Sequence, residues 1–237
     1  MRRGRGRAAA RRGLGIAKAP PSAILAAGGR GERSGSSLPK QFRLLAGKSV
    51  LARSLDAVMS SGCRPCVIAV PQDCLDQARA EVEGLSEVGV VPGGHTRQGS
   101  VRAALELVDS ETVVVHDAAR PFAPAALFDA VVEALREADG AVPGAAVDET
   151  LKRVQDGRIV ETVGRAGLYR IQTPQAFRTT ALKEAHLCAH RDGFEGTDDA
   201  QLLERLGYRI VLVEATAPNP KLTHPADFEH AEALLRA

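Results

Sequence analysis

From Pro20 onward, short apolar runs alternate with stretches whose apolar residues recur at helical spacing. Residues 22–27 (SAILAA) are the first such run, and it stops at Gly28-Gly29-Arg30-Gly31, which predicts a buried strand. Over 48–60, Val50, Leu51, Leu55, Val58 and Met59 fall on one helical face. The alternation continues as a strand at 66–70, a helix at 74–82, a short strand at 88–91 before Pro92-Gly93-Gly94, a helix at 100–108 and a strand at 112–116. A clear amphipathic helix follows at 124–138, carrying Leu127, Phe128, Val131, Val132 and Leu135. Strand and helix in this order predict an α/β fold: a doubly wound, mostly parallel sheet with Rossmann-like nucleotide-binding topology. Right-handed crossovers put the loops that follow the strands along one edge, where ligands of such sheets sit.

The pattern changes after Ala141. Residues 150–154 and 159–163 read as a β-hairpin around Asp156-Gly157, because Gly takes positive φ cheaply. The hairpin carries Lys152, Arg153, Arg158 and Glu161, and an isolated two-stranded arm must pack on something. A second copy of the chain is the natural candidate. Helices at 179–190, 198–206 and 226–235 and a strand at 208–213 complete the reading, with no internal repeat. The expected organisation is a basic, disordered extension over 1–20 and one domain over 21–237, with a protruding β-hairpin arm at about 148–170.

Composition narrows the class. Of 237 residues, 44% are hydrophobic and 25% charged, which is ordinary globular usage. No apolar run reaches the ~18 residues of a membrane span, and no secretory h-region is present. Four cysteines exclude a disulfide scaffold and suit the cytoplasm. The absence of Trp, with two Tyr and six Phe, argues against a stacking surface for nucleic acid. The net charge of +2 conceals an asymmetry: residues 1–18 hold seven basic residues and no acid, leaving 24 basic against 29 acidic residues, near −5, in the rest. An Arg-rich, acid-free start also has the flavour of a plastid transit peptide, but it is short and lacks Ser before Ser22.

Ala26-Ala27-Gly28-Gly29-Arg30-Gly31 follows the first strand, and such glycines let amide groups approach phosphate oxygens or simply make a turn. The third Gly of a dinucleotide fingerprint is missing, since Ser34 stands there, and no Walker Gly-Lys-Ser/Thr follows. Arg33 and Lys40 place two cations just beyond the turn, which suits a triphosphate and a pentacoordinate phosphoryl transition state.

At this point AILAAGGRGERSGSSLPKQF resembles the nucleotide-binding start of sugar-phosphate nucleotidyltransferases. Val115-His116-Asp117-Ala118-Ala119-Arg120-Pro121 resembles a segment of the 2-C-methyl-D-erythritol 4-phosphate cytidylyltransferase family. So do Gly94 with Arg97-Gln98-Gly99-Ser100-Val101, Asp148-Glu149-Thr150-Leu151-Lys152, Thr162-Val163-Gly164-Arg165, Gln172-Thr173-Pro174-Gln175, Thr197-Asp198-Asp199-Ala200 and Asn219-Pro220-Lys221-Leu222-Thr223. These segments come in the family's order and span roughly 22–237.

The resemblance implies Mg²⁺-dependent transfer of CMP from CTP, the co-substrate, to 2-C-methyl-D-erythritol 4-phosphate, with release of pyrophosphate, in non-mevalonate isoprenoid precursor synthesis. It implies catalytic roles for Arg33, Lys40 and Lys221 and nucleotide contacts from Ala26, Ala27, Gly28, Gly29, Gly31, Gly94, Ser100 and Ala118. Asp117, at the end of a strand, would hold the metal; a single carboxylate suits Mg²⁺, which keeps waters and phosphates as further ligands. Arg120, Thr150, Arg165 and Thr173 would hold the polyol phosphate, with Thr150 and Arg165 reaching a partner's site from the arm of a homodimer. Taken alone, Asp117 also reads as a turn cap, Ser100 as a helix N-cap, Arg120 as an ion-pair partner and Lys221 as a surface lysine. The chain departs from the family's usual pattern at Ser34, where an apolar residue is usual, and at Gly164, where Asp is common.

Three other features read as structural. Cys63-Arg64-Pro65-Cys66 precedes a strand and has no second pair to complete a zinc site. His186 and His190 read as a surface helix face. Asp198 and Asp199 read as carboxylates at a helix start, with Glu195 nearby. The alternatives are a cytidylyltransferase for another polyol phosphate such as ribitol 5-phosphate, and a catalytically silent nucleotide-binding dimer. Retention of Arg33, Lys40, Asp117 and Lys221 argues against the second.

Overall fold

A computed structural model describes residues 19–29 and 39–236. The basic extension up to residue 18, Gly31, Arg33 and Ser34 lie outside the described residues. In chain order the elements are β1 (Ser22–Ala26), β2 (Leu44–Leu45), β3 (Lys48–Ser49), α1 (Val50–Ser60), β4 (Cys66–Val70), α2 (Leu75–Glu81), β5 (Val88–Pro92), α3 (Arg97–Leu105), β6 (Thr112–Asp117) and α4 (Ala125–Ala134). They continue as β7 (Gly140–Ala146), β8 (Leu151–Gln155), β9 (Arg158–Val163), β10 (Tyr169–Ile171), β11 (Gln175–Arg178), α5 (Thr179–Arg191), α6 (Asp199–Glu204), β12 (Ile210–Glu214) and α7 (Pro225–Arg236).

The main sheet runs β5-β4-β1-β6-β11-β7, with β12 parallel along the far edge of β7. β1 pairs in parallel with both β4 and β6, and β4 with β5. β11 runs against both of its neighbours, β6 and β7, and β10 continues along the same edge of β7 in the same sense. The expected doubly wound, mostly parallel sheet is thus present, with a reversed strand wedged into it.

Period-2 alternation sends side chains to two cores. Ala23 and Leu25 of β1, Cys66, Ile68 and Val70 of β4, and Val114 of β6 face α1, α2 and α4. Ile24, Val67, Ala69, Val113 and Val115 face the opposite way, onto α3, α5 and α6. Both faces are covered, which is why these strands read as continuous apolar runs.

Two helix starts differ from expectation. Lys48 and Ser49 pair with Leu44 and Leu45, and α1 begins at Val50 because the Ser49 hydroxyl accepts from the Ala52 N–H at 3.0 Å. α3 begins at Arg97, three residues ahead of Ser100, because Thr96 is its N-cap and accepts from the Gly99 N–H at 3.1 Å. Ser100 therefore lies inside the helix, which corrects its N-cap reading.

Besides the short β2 and β3, three strands of the main sheet went unforeseen: β7, β10 and β11. β7 reads GAVPGAA, poor in β-branched residues and broken by Pro143, yet its first five residues are buried. A Cβ on Gly140 would stand 2.7 Å from Ile210 and 2.8 Å from Phe177, so the neighbouring strands close over the glycine. The hairpin is as expected: β8 and β9 pair with each other around Asp156 (φ +49°) and Gly157 (φ +76°), and among the described residues they pair with no strand of the main sheet.

Gly140→Ala is expected to destabilise the protein by about 1–3 kcal/mol through overpacking against Phe177, read as a lower urea midpoint with unchanged slope. A midpoint equal to wild type would mean that the sheet has slack at this position.

Candidate active site

β1 and β6 are neighbours whose onward connections leave in opposite directions, so a crevice opens where both strands end. Ala26 stands opposite Asp117, and the Ala118 N–H donates to the Ala26 carbonyl at 3.0 Å. The Ser54 hydroxyl of α1 holds the Ala118 carbonyl at 2.7 Å. Beneath this edge lies Ser100, fully buried, whose hydroxyl donates to the Thr96 carbonyl at 2.9 Å. A Cβ on Gly28 would come within 2.5 Å of that hydroxyl oxygen, and one on Gly93 within 2.6 Å. A Cβ on Gly94 would strike the Gly99 backbone at 2.8 Å. Close packing, as much as any ligand, requires glycine here.

Above the edge is a cavity of about 220 Å³ whose lining includes Gly28, Gly29, Lys40, Asp117, Ala118 and Lys221. Lys40 precedes two buried residues, Gln41 and Phe42, in a short 3₁₀ turn, and its ammonium donates to the Leu222 carbonyl at 3.4 Å. The Leu222 N–H in turn donates to the Ala119 carbonyl at 2.8 Å, tying the Lys221 loop to the end of β6.

Asp117 is 6% exposed. Its Oδ1 accepts from Arg97 Nε at 2.8 Å and its Oδ2 from Lys221 Nζ at 2.7 Å. Burial alone would raise its pKa, but the two cations outweigh burial and hold the carboxyl well below the usual range. Arg97 also gives Nη1 to Asp199 Oδ2 at 2.7 Å, and Asp199 Oδ1 accepts from His186 Nε2 at 3.0 Å. Burial works against the Arg97 charge, and the two aspartates more than restore it.

A second chain of bonds lies behind Asp117. The Asp117 N–H donates to Thr173 Oγ1 at 3.0 Å, and Thr173 Oγ1 is 3.0 Å from His116 Nδ1. His116 Nε2 is 3.0 Å from the Arg120 carbonyl. A carbonyl only accepts, so Nε2 carries the proton and Nδ1 receives the Thr173 hydroxyl proton. This fixes the neutral tautomer. Burial drives the His116 pKa down to about 4, with the neighbouring Asp117 charge opposing it.

The crevice thus brings together Ala26, Ala27, Gly28, Gly29, Lys40, Asp117, Ala118 and Lys221 of the expected residues. Arg120 lines an adjoining open groove of about 680 Å³ with Arg170, Asn219 and His230, and Lys221 borders both spaces. Thr173 lies behind these spaces: its hydroxyl is buried and bonded to the Asp117 N–H and to His116. Thr150 and Arg165 sit at the arm and line neither space, and Arg165 bonds the Asp148 carbonyl.

The surface reading of His186 is corrected. His186 is 1% exposed, not a surface residue, and only His190 of that pair is exposed. The apolar stripe of α5 includes Leu182, Ala185 and Ala189, and it points to the burial of His186 once the helix is drawn. Asp198 caps α6, accepting from the Gln201 N–H at 3.0 Å, whereas Asp199 turns inward to Arg97. Cys63 and Cys66 are buried free thiols, and burial pushes the Cys66 pKa up to about 12. Among the described residues no three His, Cys, Asp or Glu gather to hold a metal. Among the described residues that line the cavity Asp117 is the one carboxylate, which fits Mg²⁺ in company with phosphate oxygens.

A family model described as "IspD: 2-C-methyl-D-erythritol 4-phosphate cytidylyltransferase" matches residues 22–237. The 2-C-methyl-D-erythritol 4-phosphate cytidylyltransferase of Bacillus velezensis is 40% identical over 220 residues, covering 90% of this chain and 95% of that protein. A bifunctional enzyme IspD/IspF of Rhizorhabdus wittichii is 44% identical over 214 residues, covering 89% of this chain; the matched region spans 55% of that protein. The crystal structure of the cytidylyltransferase from Thermus thermophilus superposes with a TM-score of 0.80 at 36% identity, covering 92% of this chain and all of that one.

The neutral His116 makes the protein acid-sensitive. Between about pH 4 and the ordinary value of 6.5, the unfolded chain takes up a proton that the folded chain refuses, so stability falls as pH drops through that window. The expected loss is about 3 kcal/mol by linkage. Urea unfolding at pH 7 and pH 4.5 should show a steeper decline for wild type than for His116→Gln, and equal declines would refute the burial of a neutral imidazole.

Proposed function

The chain belongs to the 2-C-methyl-D-erythritol 4-phosphate cytidylyltransferase family, and we propose that it transfers CMP from CTP to 2-C-methyl-D-erythritol 4-phosphate. A phosphate oxygen of the alcohol attacks the α-phosphorus of CTP, the bond from that phosphorus to the bridging oxygen breaks, and pyrophosphate leaves. The product is 4-diphosphocytidyl-2-C-methyl-D-erythritol, an intermediate of the non-mevalonate isoprenoid route. The observation that carries this reading is the convergence of Lys40, Asp117 and Lys221 on a glycine-edged cavity where β1 and β6 diverge.

In this reading the nucleotide lies over Gly28 and Gly29, with its triphosphate toward Lys40 and its α-phosphate between Lys40 and Lys221. No covalent bond to the protein is needed; orientation and charge stabilisation suffice. Lys40 and Lys221 bear the negative charge that gathers on the α-phosphate as attack proceeds, and Arg33 joins them. Mg²⁺ held by Asp117 and phosphate oxygens would shield the triphosphate. Asp117 has to share its Oδ2 between Lys221 and such an ion, and the half-exposed Lys221 ammonium is the mobile partner of the two.

The alcohol phosphate occupies the adjoining groove beside Arg120 and Arg170. That groove is open, and Thr150 and Arg165 from a second copy would close it. The arm supports this arrangement: Val154, Ile159 and Val160 are 57%, 66% and 54% exposed, apolar surface that a partner would bury. Arg165 suits a phosphate dianion because its fork binds two oxygens.

Pyrophosphate release should occur with CTP and methylerythritol phosphate, and far less with ATP, GTP or ribitol 5-phosphate. Lys40→Ala should lower kcat about 10²–10³-fold with a smaller change in CTP affinity. A variant with near-normal kcat would remove Lys40 from the chemistry.

Shared sites have a signature of their own. Mixing inactive Arg165→Ala and Lys40→Ala proteins under subunit exchange should restore roughly a quarter of wild-type activity, because half the dimers are mixed and each has one intact site. No recovery after demonstrated exchange would place both residues in one chain's site.

A further inference from the structure

Arg97 meets two carboxylates and gives each of them one nitrogen. Nε goes to Asp117 Oδ1 at 2.8 Å, Nη1 goes to Asp199 Oδ2 at 2.7 Å, and Nη2 is buried with no partner. A guanidinium facing a lone carboxylate favours two parallel bonds to its two oxygens. The second donor on the Nε edge is Nη2, and it makes no bond to Asp117: Asp199 holds the guanidinium by Nη1 instead. Asp199 is itself fixed: it is 1% exposed, and His186, equally buried, donates Nε2–H to its Oδ1 at 3.0 Å. Asp117 Oδ2 is consequently left to Lys221, whose side chain is 42% exposed beside the cavity. An ammonium on a flexible stem makes an exchangeable partner, whereas a guanidinium pinned at both ends does not.

We propose that Asp199 is a positioning residue that anchors Arg97 by Nη1 and so keeps Nη2 off Asp117 Oδ2; one oxygen of Asp117 stays fixed and the other stays free to pass from Lys221 to a divalent cation arriving with the nucleotide. His186 sets the orientation of Asp199. The proposal rests on the nucleotide reading above and deepens it: the cation preference of the site is set by a carboxylate that touches neither metal nor nucleotide. Asp199→Asn replaces a charged acceptor by a neutral one and weakens the anchor on Nη1. Arg97 can then bring Nη2 alongside Nε onto Asp117 and close Oδ2 to the cation.

The test is calorimetric titration of the full chain with CTP, once in excess Mg²⁺ and once in EDTA, for wild type, Asp199→Asn and His186→Gln. The readout is the ratio of the two affinities. Asp199→Asn should lose about 10–100-fold of the gain that Mg²⁺ brings, the usual cost of removing a group that orients a metal ligand, while its affinity in EDTA is unchanged. His186→Gln keeps an N–H donor and should keep the wild-type ratio. A merely structural role would lower the number of binding sites per chain and the Tm, with the ratio unchanged in the sites that remain, and that result overturns the proposal. Failure of wild type to bind CTP in Mg²⁺ would instead count against the nucleotide reading itself.

Discussion

A carboxylate buried between two cations is the constraint around which the crevice is organised. Asp117 ends β6 almost out of contact with water, where an unpaired charge would cost several kcal/mol. Arg97 and Lys221 make its ionised form tolerable, and they come from α3 and from the loop before α7. Through Asp199 and His186 the same network reaches α6 and α5. Opposite charges alternate along it, so no part carries a large net charge before a ligand arrives. Removing any one member strands another, which gives widely separated parts of the chain a common stake in one carboxylate.

The fold was largely legible because parallel strands covered on both faces leave a plain mark. Residues 22–27, 66–70 and 112–116 each hold an apolar run of three to five residues, and the strands observed there differ from these ranges by at most a residue. β7 was not legible, since GAVPGAA has neither alternation nor β-branched bulk. It is a strand because Phe177, Ile210 and Leu212 close over its glycines, a tertiary fact. The start of α3 was misplaced for a local reason: Thr96 outcompetes Ser100 as cap, and the polar residues between them hide the first turn.

The site was legible where chemistry coincides with a strand end. Asp117 at the end of β6 and the glycines after β1 could be placed from order alone. Arg97, Asp199 and His186 could not, because each looks ordinary in its own segment and gains its meaning from partners up to 102 positions away. Thr173 has a role that its segment alone does not show: its hydroxyl holds the backbone of Asp117 and the ring of His116.

The reversed strand has a consequence for synthesis on the ribosome. β5, β4, β1 and β6 are complete once Asp117 has emerged, yet β6 then presents a bare row of amides along one side. Its neighbour on that side is β11, where Phe177 pairs with Val113. The arm and its turns are translated in between. Until Gln175–Arg178 leaves the exit tunnel, the nascent nucleotide half carries an apolar, unpaired edge of the kind that recruits other strands. The order of the sheet therefore leaves that edge uncovered for the whole time in which the arm is translated.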